Sequence, residues 1–221
     1  MRVKLLNFTP NPDFTVYLAA RVCYSKVSIE ELEKEAKEEK VKALIKKVIK
    51  SGHHSVLEHA SFTFGVEGVS RVTTHQLVRH RIASYSQQSL RWVNAGDMEI
   101  IIPPSVSANE EALKLFEEVI RFAKVVYAKL VELGIPKEDA RFLIPQGVSS
   151  EIIFTMNARE LHHFFRLRLC SKSQWEIRKL AYLAFLEVRK VAPIIFEKAG
   201  PPCITEGRCL EEKPCGNPPS I

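Results

Sequence analysis

The side chains best suited to chemistry lie between positions 79 and 91. Arg79-His80-Arg81 is followed by seven residues, then Ser89, with Arg91 two further on. Three guanidiniums, an imidazole, the amides of Gln87 and Gln88 and the hydroxyls of Ser84, Tyr85, Ser86 and Ser89 share thirteen positions. Guanidinium forks meet phosphate and carboxylate oxygens in pairs. From Arg79 through Asn94 there is no Lys and no acid, whereas a merely solvated loop would mix Lys and Glu with its Arg. The segment reads as an anion site with a nucleotide as the expected ligand. A basic nucleic-acid patch is the competing reading.

Two further clusters carry polar chemistry. Residues 52–59 hold His53, His54 and His59 with Glu58 and Ser55. The H-E-x-x-H spacing of zincins is absent, so a metal site and a ligand-contacting turn both stay open. Asn157-Ala158-Arg159-Glu160-Leu161-His162-His163-Phe164-Phe165-Arg166-Leu167-Arg168 begins at a strand–helix junction, with Asn157 a natural N-cap. Positions 157, 161, 164, 165 and 168 fall near one helical face, which puts Arg168 on or beside an apolar face. A buried guanidinium there needs an anionic partner, either a structural carboxylate or a ligand.

Some familiar devices are missing. There is no G-x-G-x-x-G, no phosphate-binding Walker loop and no C-x-x-C. A nucleotide must therefore be held by side chains and helix ends. Cys203-x5-Cys209-x5-Cys215 is evenly spaced in a tail rich in Pro, but it matches no standard ligand pattern, and no metal is assigned. A partly ordered tail is expected for residues 201–221.

The positioning elements follow from periodicity and caps. Residues 2–8 read as a short strand and 13–22 as a helix. Ser28-Ile29-Glu30-Glu31 is a capping box that should open one long charged helix to about Ser51, closed by Gly52. Residues 60–65 read as a strand. Residues 70–80 read as a helix with Val72, Leu77 and Val78 inward, delivering Arg79-His80-Arg81 at its end. Residues 82–94 are too polar for a core element and read as an ordered loop. A second capping box at Ser107 should open an amphipathic helix with Leu113, Phe116, Val119, Ile120, Ala123, Tyr127 and Leu130 on one side, closed by Gly134. Pro136 starts a short helix carrying Arg141. Residues 151–156 read as a strand and 157–169 as a helix. A third capping box at Ser173 precedes a helix running toward Gly200, broken or kinked at Pro193. Strands and helices do not alternate as in a doubly wound sheet, so the expected fold class is α+β: a single helix-rich domain over residues 1–200, with a central antiparallel sheet and flanking helices.

Composition narrows the class. The 221 residues are 46% apolar and 26% charged, with a net charge of +6, as in a globular domain with a real core and a preference for anionic ligands. No run is long enough for a membrane helix, and no membrane partner is expected. Five cysteines, an odd number, with no secretion signal point to a reducing cytoplasmic compartment.

The Arg79-His80-Arg81-x7-Ser89 pattern resembles the signature of the flavin-dependent thymidylate synthases. Gly52-His53 with Glu58-His59, Ile82-Ala83-Ser84-Tyr85, Asp139-Ala140-Arg141, Asn157-Ala158-Arg159 and Ser173-Gln174-Trp175-Glu176 recur in that family in the same order. The resemblance spans about residues 1–200. It implies an α+β fold and a homotetramer whose subunits share active sites. It implies reductive methylation of dUMP to dTMP, with methylenetetrahydrofolate as carbon donor and NADPH-reduced FAD as hydride source, and no nucleic-acid partner. Carried over by position, His53, Ser55, Glu58, Arg79, His80, Arg81, Gln87, Asn157, Arg159 and His163 would hold FAD. Gln76, Arg79, Gln87, Gln88, Ser89, Leu90, Arg91, Arg141 and Arg168 would hold dUMP. Arg168 is the expected catalytic residue, polarising the uracil ring. Ser89 orients it, since no neighbouring base makes it a nucleophile. Cys170 lies in Leu-Cys-Ser rather than the Pro-Cys-His of flavin-free synthases. Ser86 and Gln87 stand where many relatives carry Asn-Glu, Lys172 stands where some carry His, and His163 occupies a position that varies between Asn and His. A flavoprotein reductase without methyl transfer is a further alternative; it would have no use for Ser89, Arg91, Arg141 and Arg168 together.

Overall fold

The computed structural model describes residues 1–220. In chain order the elements are β1 (Arg2–Phe8), α1 (Pro12–Val22), α2 (Ile29–Glu35), α3 (Glu38–Lys50), a 3-10 turn (His54–His59), β2 (Ser61–Ser70), α4 (Arg71–Leu77), β3 (Ala83–Gln87), α5 (Pro104–Ser107), α6 (Glu110–Glu132), α7 (Lys137–Ala140), β4 (Ser149–Asn157), α8 (Ala158–Arg168), α9 (Trp175–Val191) and α10 (Pro202–Thr205). The strands form one antiparallel sheet in the order β1–β2–β4–β3. The class is the expected α+β.

Contacts divide the chain into two units. The first holds Met1–Arg2, Val66–Arg79 and Ser86–Ile153. The second holds Val3–Gly65, His80–Tyr85 and the described residues from Phe154 onward.

The second unit is built on aromatic packing. Phe62, Phe64, Phe154, Phe164, Phe165, Phe185 and Phe196 are all essentially buried. Phe64 stacks on Phe154 at 4.8 Å, and Phe165 meets Phe185 and Phe196 edge-on at 5.4 and 5.8 Å. Each such side chain stabilises the fold by roughly 1.5–3 kcal/mol through burial. Ile177, Leu180, Ala181, Ala184, Phe185 and Val188 give α9 the apolar stripe that buries it. The helix stops at Val191, before Pro193, and Asp13 caps the turn that follows by accepting from the N–H groups of Ile194 and Ile195 at 3.1 and 3.0 Å.

In the first unit Leu90, Ala95, Tyr127, Ala140 and Val148 form a small core. Tyr127 is the one fully buried side chain of α6, and its hydroxyl accepts from the Ala95 N–H at 3.3 Å. Of the expected inward face of α6, Tyr127 is buried, Leu113, Phe116, Ile120, Ala123 and Leu130 are half-buried and only Val119 is exposed; beside that face Leu115, Phe122 and Val125 lie on the surface, so that these three and Val119 are 59–71% exposed.

Other expectations are corrected locally. The helix from Ser28 is two helices, α2 and α3, with Ala36 and Lys37 extended between them. Leu32 lies nine positions from Val41, about half a turn out of phase on a continuous helix. The break lets Leu32, Val41, Ile45 and Val48 all be buried. The Ser28 capping box itself is formed, and Gly52 closes α3 at φ +75. The other two boxes cap one residue or two later. Asn109 caps α6 through Ala112 N at 2.9 Å, while Ser107 turns to the Pro104 carbonyl. Gln174 caps α9, while Ser173 donates to the Leu167 carbonyl. In α4 the buried residues are Thr73, Thr74 and Leu77, whereas Val72 and Val78 are exposed. The polar stretch read as a loop contains edge strand β3, whose alternate side chains are exposed. An edge strand with a solvated face needs no apolar run.

Candidate functional site

In the second unit the strand β4 feeds directly into α8. Asn157 caps that helix by accepting from the Glu160 N–H at 2.9 Å, as its position predicts. The first turn of α8 thus presents Glu160 to His80. The His80 ring is 3% exposed, and its Nδ1 lies 3.0 Å from Glu160 Oε1. Arg168, one helix length further on, donates through Nε to His80 Nε2 at 3.1 Å. A ring nitrogen that accepts from a guanidinium carries no proton, so Nδ1 bears the hydrogen and donates it to Glu160. Burial, then the charges of Arg168 and His163, hold the His80 imidazole down at about 4, which agrees with this neutral tautomer. Burial raises the Glu160 carboxyl, and the neighbouring His163 works against that rise. Tyr85 donates to the His80 carbonyl at 2.6 Å, and Phe164 packs edge-on against the ring at 5.0 Å.

Glu160, His80 and Arg168 therefore form a fixed relay that aims a half-buried guanidinium. Among the described residues, His80, Glu160 and His163 form the one group whose possible metal-ligating atoms lie within 4.8 Å of one another. With both its nitrogens committed to Glu160 and Arg168, His80 has no free lone pair for an ion, which leaves only Glu160 and His163 of that group.

A cleft of about 1130 Å³ opens in the same unit. Of the expected cofactor ligands, Glu58, Asn157, Arg159 and His163 line it. Arg159 and Glu58 form an ion pair at its edge. The walls add residues to which the sequence reading assigned no cofactor role, among them Lys46, Lys50, His54, Ile82 and Arg166. His54, not His53, lines the cleft; its Nε2 lies 3.1 Å from the Ile49 carbonyl. His53 and Ser55 are exposed at and beside the start of the 3-10 turn. Arg81 is exposed, and among the described residues its guanidinium has no hydrogen-bond or ion-pair partner.

The first unit holds most of the expected substrate ligands. Ser89 opens a tight turn: its Oγ accepts from the Arg91 N–H at 3.2 Å, and its carbonyl accepts from Val93 N at 3.0 Å. Nothing in those contacts would remove the hydroxyl proton. Arg91 pairs through Nε with Glu138 at 2.6 Å, and Arg141 Nε donates to the Glu138 carbonyl at 3.0 Å. Gln87 gives both amide hydrogens to Thr74 Oγ1 and Ser150 Oγ, each at 3.1 Å. The Leu90 side chain belongs to the core, so only its backbone can meet a ligand. Gln76 and Gln88 are half-buried, and Arg79 is exposed with an unpaired guanidinium among the described residues.

Arg71, missed in the sequence, adds the clearest electrostatic clue. Its Nη2 donates to the Gln88 carbonyl at 2.8 Å, while its Nε is buried without a partner among the described residues. Burial, then the charge of Arg141, push its guanidinium below the ordinary arginine range. Two guanidiniums in mutual repulsion with an orphaned donor call for an anion. The sequence signal was faint, a lone Arg at the start of a helix of Val and Thr. Glu160 was easier to find, as the only acid in α8.

The protein is helix-rich α+β, with Arg71, Arg91 and Arg141 in the first unit and a large cleft of mixed charge in the second. Residues 4–194 match the family model described as thymidylate synthase complementing protein. The chain is 52% identical over 213 residues to a flavin-dependent thymidylate synthase of Geobacter sulfurreducens, covering 96% of this chain and 91% of that protein. Proteins with the same description from Clostridium tetani and Pyrococcus abyssi are each 45% identical, over 227 and 222 residues, again covering 96% of this chain and 91% of each relative. The chain belongs to the flavin-dependent thymidylate synthase family, whose members are methyl-transferring enzymes.

Proposed function

We propose that this protein converts dUMP to dTMP, taking the carbon from methylenetetrahydrofolate and using FAD reduced by NADPH. The observation that carries the reading is the Glu160–His80–Arg168 relay beside a cleft whose residues suit a flavin. Asn157, Arg159 and His163 line that cleft, and Arg81 is an unpaired cation in the same unit. Lys50 adds positive charge for a pyrophosphate, while Lys46 is paired with Glu197 at 2.6 Å. The apolar Ile82 gives a wall against which an isoalloxazine ring can lie. When bound, FAD supplies the hydride that completes the methyl group.

The protein's task is orientation and electrostatics. To take up a one-carbon unit, C5 of the uracil must become electron-rich. Arg168 stabilises the negative charge that then develops on the ring, a role worth roughly 10²–10³ in rate. His80 accepts from Arg168 Nε and holds the guanidinium plane, and Glu160 fixes the tautomer that lets it do so. His80 is thus a positioning residue rather than a direct cofactor ligand. Arg71, Arg91 and Arg141 meet the phosphate of dUMP, with Gln87, Gln88 and the Ser89 turn ordering its base and sugar. Arg79 serves as a further cation for either anion. The exposed Leu115–Val119–Phe122 stripe of α6 supports a homotetramer with shared active sites, because an i, i+4, i+7 apolar line of this kind normally meets another surface.

The test is turnover. Purified protein should bind FAD and form dTMP only when dUMP, methylenetetrahydrofolate and NADPH are all present. FAD reduction without any dTMP would reduce the reading to a flavoprotein reductase.

A further inference from the structure

The ion pairs around the cleft of the second unit leave its unbalanced charge on one side. Of the lining cations, Arg159 pairs with Glu58, Arg166 with Glu206 at 2.8 Å and Lys46 with Glu197 at 2.6 Å. Lys50 and Lys198 line the same cleft, and among the described residues neither has a hydrogen-bond or ion-pair partner. Both adjoin the Lys46 pair: Lys50 is one turn further along α3, and Lys198 follows Glu197 directly in the chain. Lys42, one turn before Lys46, is likewise exposed and unpaired among the described residues. Lys42, Lys46 and Lys50 thus stand at i, i+4 and i+8 on α3, away from its buried Val41, Ile45 and Val48. The Lys46 hydrogen bond holds the Glu197 carboxyl below its ordinary value, and the charges of Lys46, Lys42 and Lys198 add to that. Like charges four apart on a helix repel one another. An anion laid along the stripe would relieve that repulsion.

We propose that Lys42, Lys46, Lys50 and Lys198 form a track for the γ-glutamyl tail of the folate co-substrate, so that the protein selects polyglutamylated methylenetetrahydrofolate over the monoglutamyl form. This role rests on the synthase reading, under which the one-carbon unit must reach the flavin in this cleft and the glutamyl end must leave across the rim. The rim toward α3 is the side whose cations outnumber its acids. The cleft, at about 1130 Å³, exceeds the roughly 300–1,000 Å³ of a pocket for one small ligand. It has room for part of a second ligand beside a flavin. Spacing points the same way. Successive lysines of the stripe are about 6 Å apart along the helix axis. A γ-glutamyl unit has five backbone bonds and spans roughly 6 Å when extended, whereas an ordinary acidic peptide advances only about 3.3–3.6 Å per residue. The carboxylates of a γ-glutamyl chain therefore repeat at the interval of the ammonium groups. The track holds Lys and no Arg, and α3 has no aromatic residue. It offers point charges suited to carboxylates and no platform for base stacking, which sets it apart from a nucleic-acid groove. Lys50, which also faces the expected pyrophosphate, marks where the track joins the flavin site.

The test compares the KM of the FAD-loaded enzyme for monoglutamyl and pentaglutamyl methylenetetrahydrofolate, with dUMP and NADPH in excess. The pentaglutamyl form should have a KM lower by roughly ten-fold, the combined effect of several weak exposed ion pairs. The gap should close near 1 M salt, where screening acts over about 3 Å. Lys42→Gln combined with Lys198→Gln should remove most of the gap. Glu197→Gln, which removes the acid within the track, should widen it. A merely structural effect of these changes would move both KM values together, and a retained flavin spectrum shows that each variant folds. Turnover of both substrates at equal KM would overturn this inference alone and leave the stripe a solvated face. So would a gap that the double lysine variant keeps, or a short single-stranded RNA that competes with the pentaglutamyl substrate more strongly than free γ-pentaglutamate does. No turnover with either substrate would bring down the synthase reading and this inference with it.

Discussion

The two units handle their arginines in opposite ways. In the second, Arg168 is fixed through Nε by a neutral histidine that a buried carboxylate holds in one tautomer. In the first, Arg71 keeps a buried Nε unpartnered and suffers repulsion from Arg141. A group that must act on developing charge needs a set direction, so the fold settles its hydrogen bonding internally. On the proposed reading, the groups that receive a phosphate are left short of an anion, and the ligand completes them. In the proposed mechanism the first arrangement supplies rate and the second supplies affinity.

Arg168→Ala should break the contrast most completely. Thymidylate formation should fall by about 10²–10³ while the flavin spectrum is retained. A variant with normal turnover would remove Arg168 from the chemistry. Next in size is the pH response of the second unit. Burial holds both His80 and His162 at about 4, below the 6.5 of a free imidazole. The unfolded chain then binds more protons than the folded one below about pH 6.5. Stability is fully present above that pH and is lost as pH falls toward 4, by up to a few kcal/mol. Urea unfolding across that window should show the decline, and a flat profile would mean the rings are protonated in the fold.

His80→Phe keeps an aromatic ring against Phe164 but cuts the relay. It should lower kcat by about 10–100-fold with little change in the KM for dUMP. A shift confined to KM would make His80 a substrate ligand instead. In the first unit Arg71→Met should do the reverse, raising the dUMP KM by roughly ten-fold with kcat nearly kept. Its unfolding midpoint should not drop, because an unsatisfied buried donor is removed with the charge.

How much of this was legible depends on how local each cause is. The Asn157 cap, the Ser28 capping box, the Gly52 stop and the end of α9 before Pro193 rest on neighbouring residues, and the sequence shows them. The α2–α3 break does not, because it serves to bury Leu32 together with Val41, a tertiary demand. Edge strand β3 was hidden by its polar side chains. At the site, the residue types of the Arg79–Arg91 stretch pointed to an anion, and those of Asn157–Arg168 to either a structural carboxylate or a ligand. Which arginine is locked and which is left wanting was not legible, since Glu160, His80 and Arg168 meet only in the fold. The same holds for Gln87. Its amide donates to two hydroxyls that can equally donate, so the Glu that the family resemblance leads one to expect and the Gln found here can occupy one geometry.

The most direct test follows the flavin itself. Reconstituted with FAD under anaerobic conditions, the protein should show a flavin band that NADPH bleaches, and bleaches faster when dUMP is present. That result would tie the nucleotide and the cofactor to one redox centre. A protein that takes up no FAD, or whose bleaching ignores dUMP, would contradict the account.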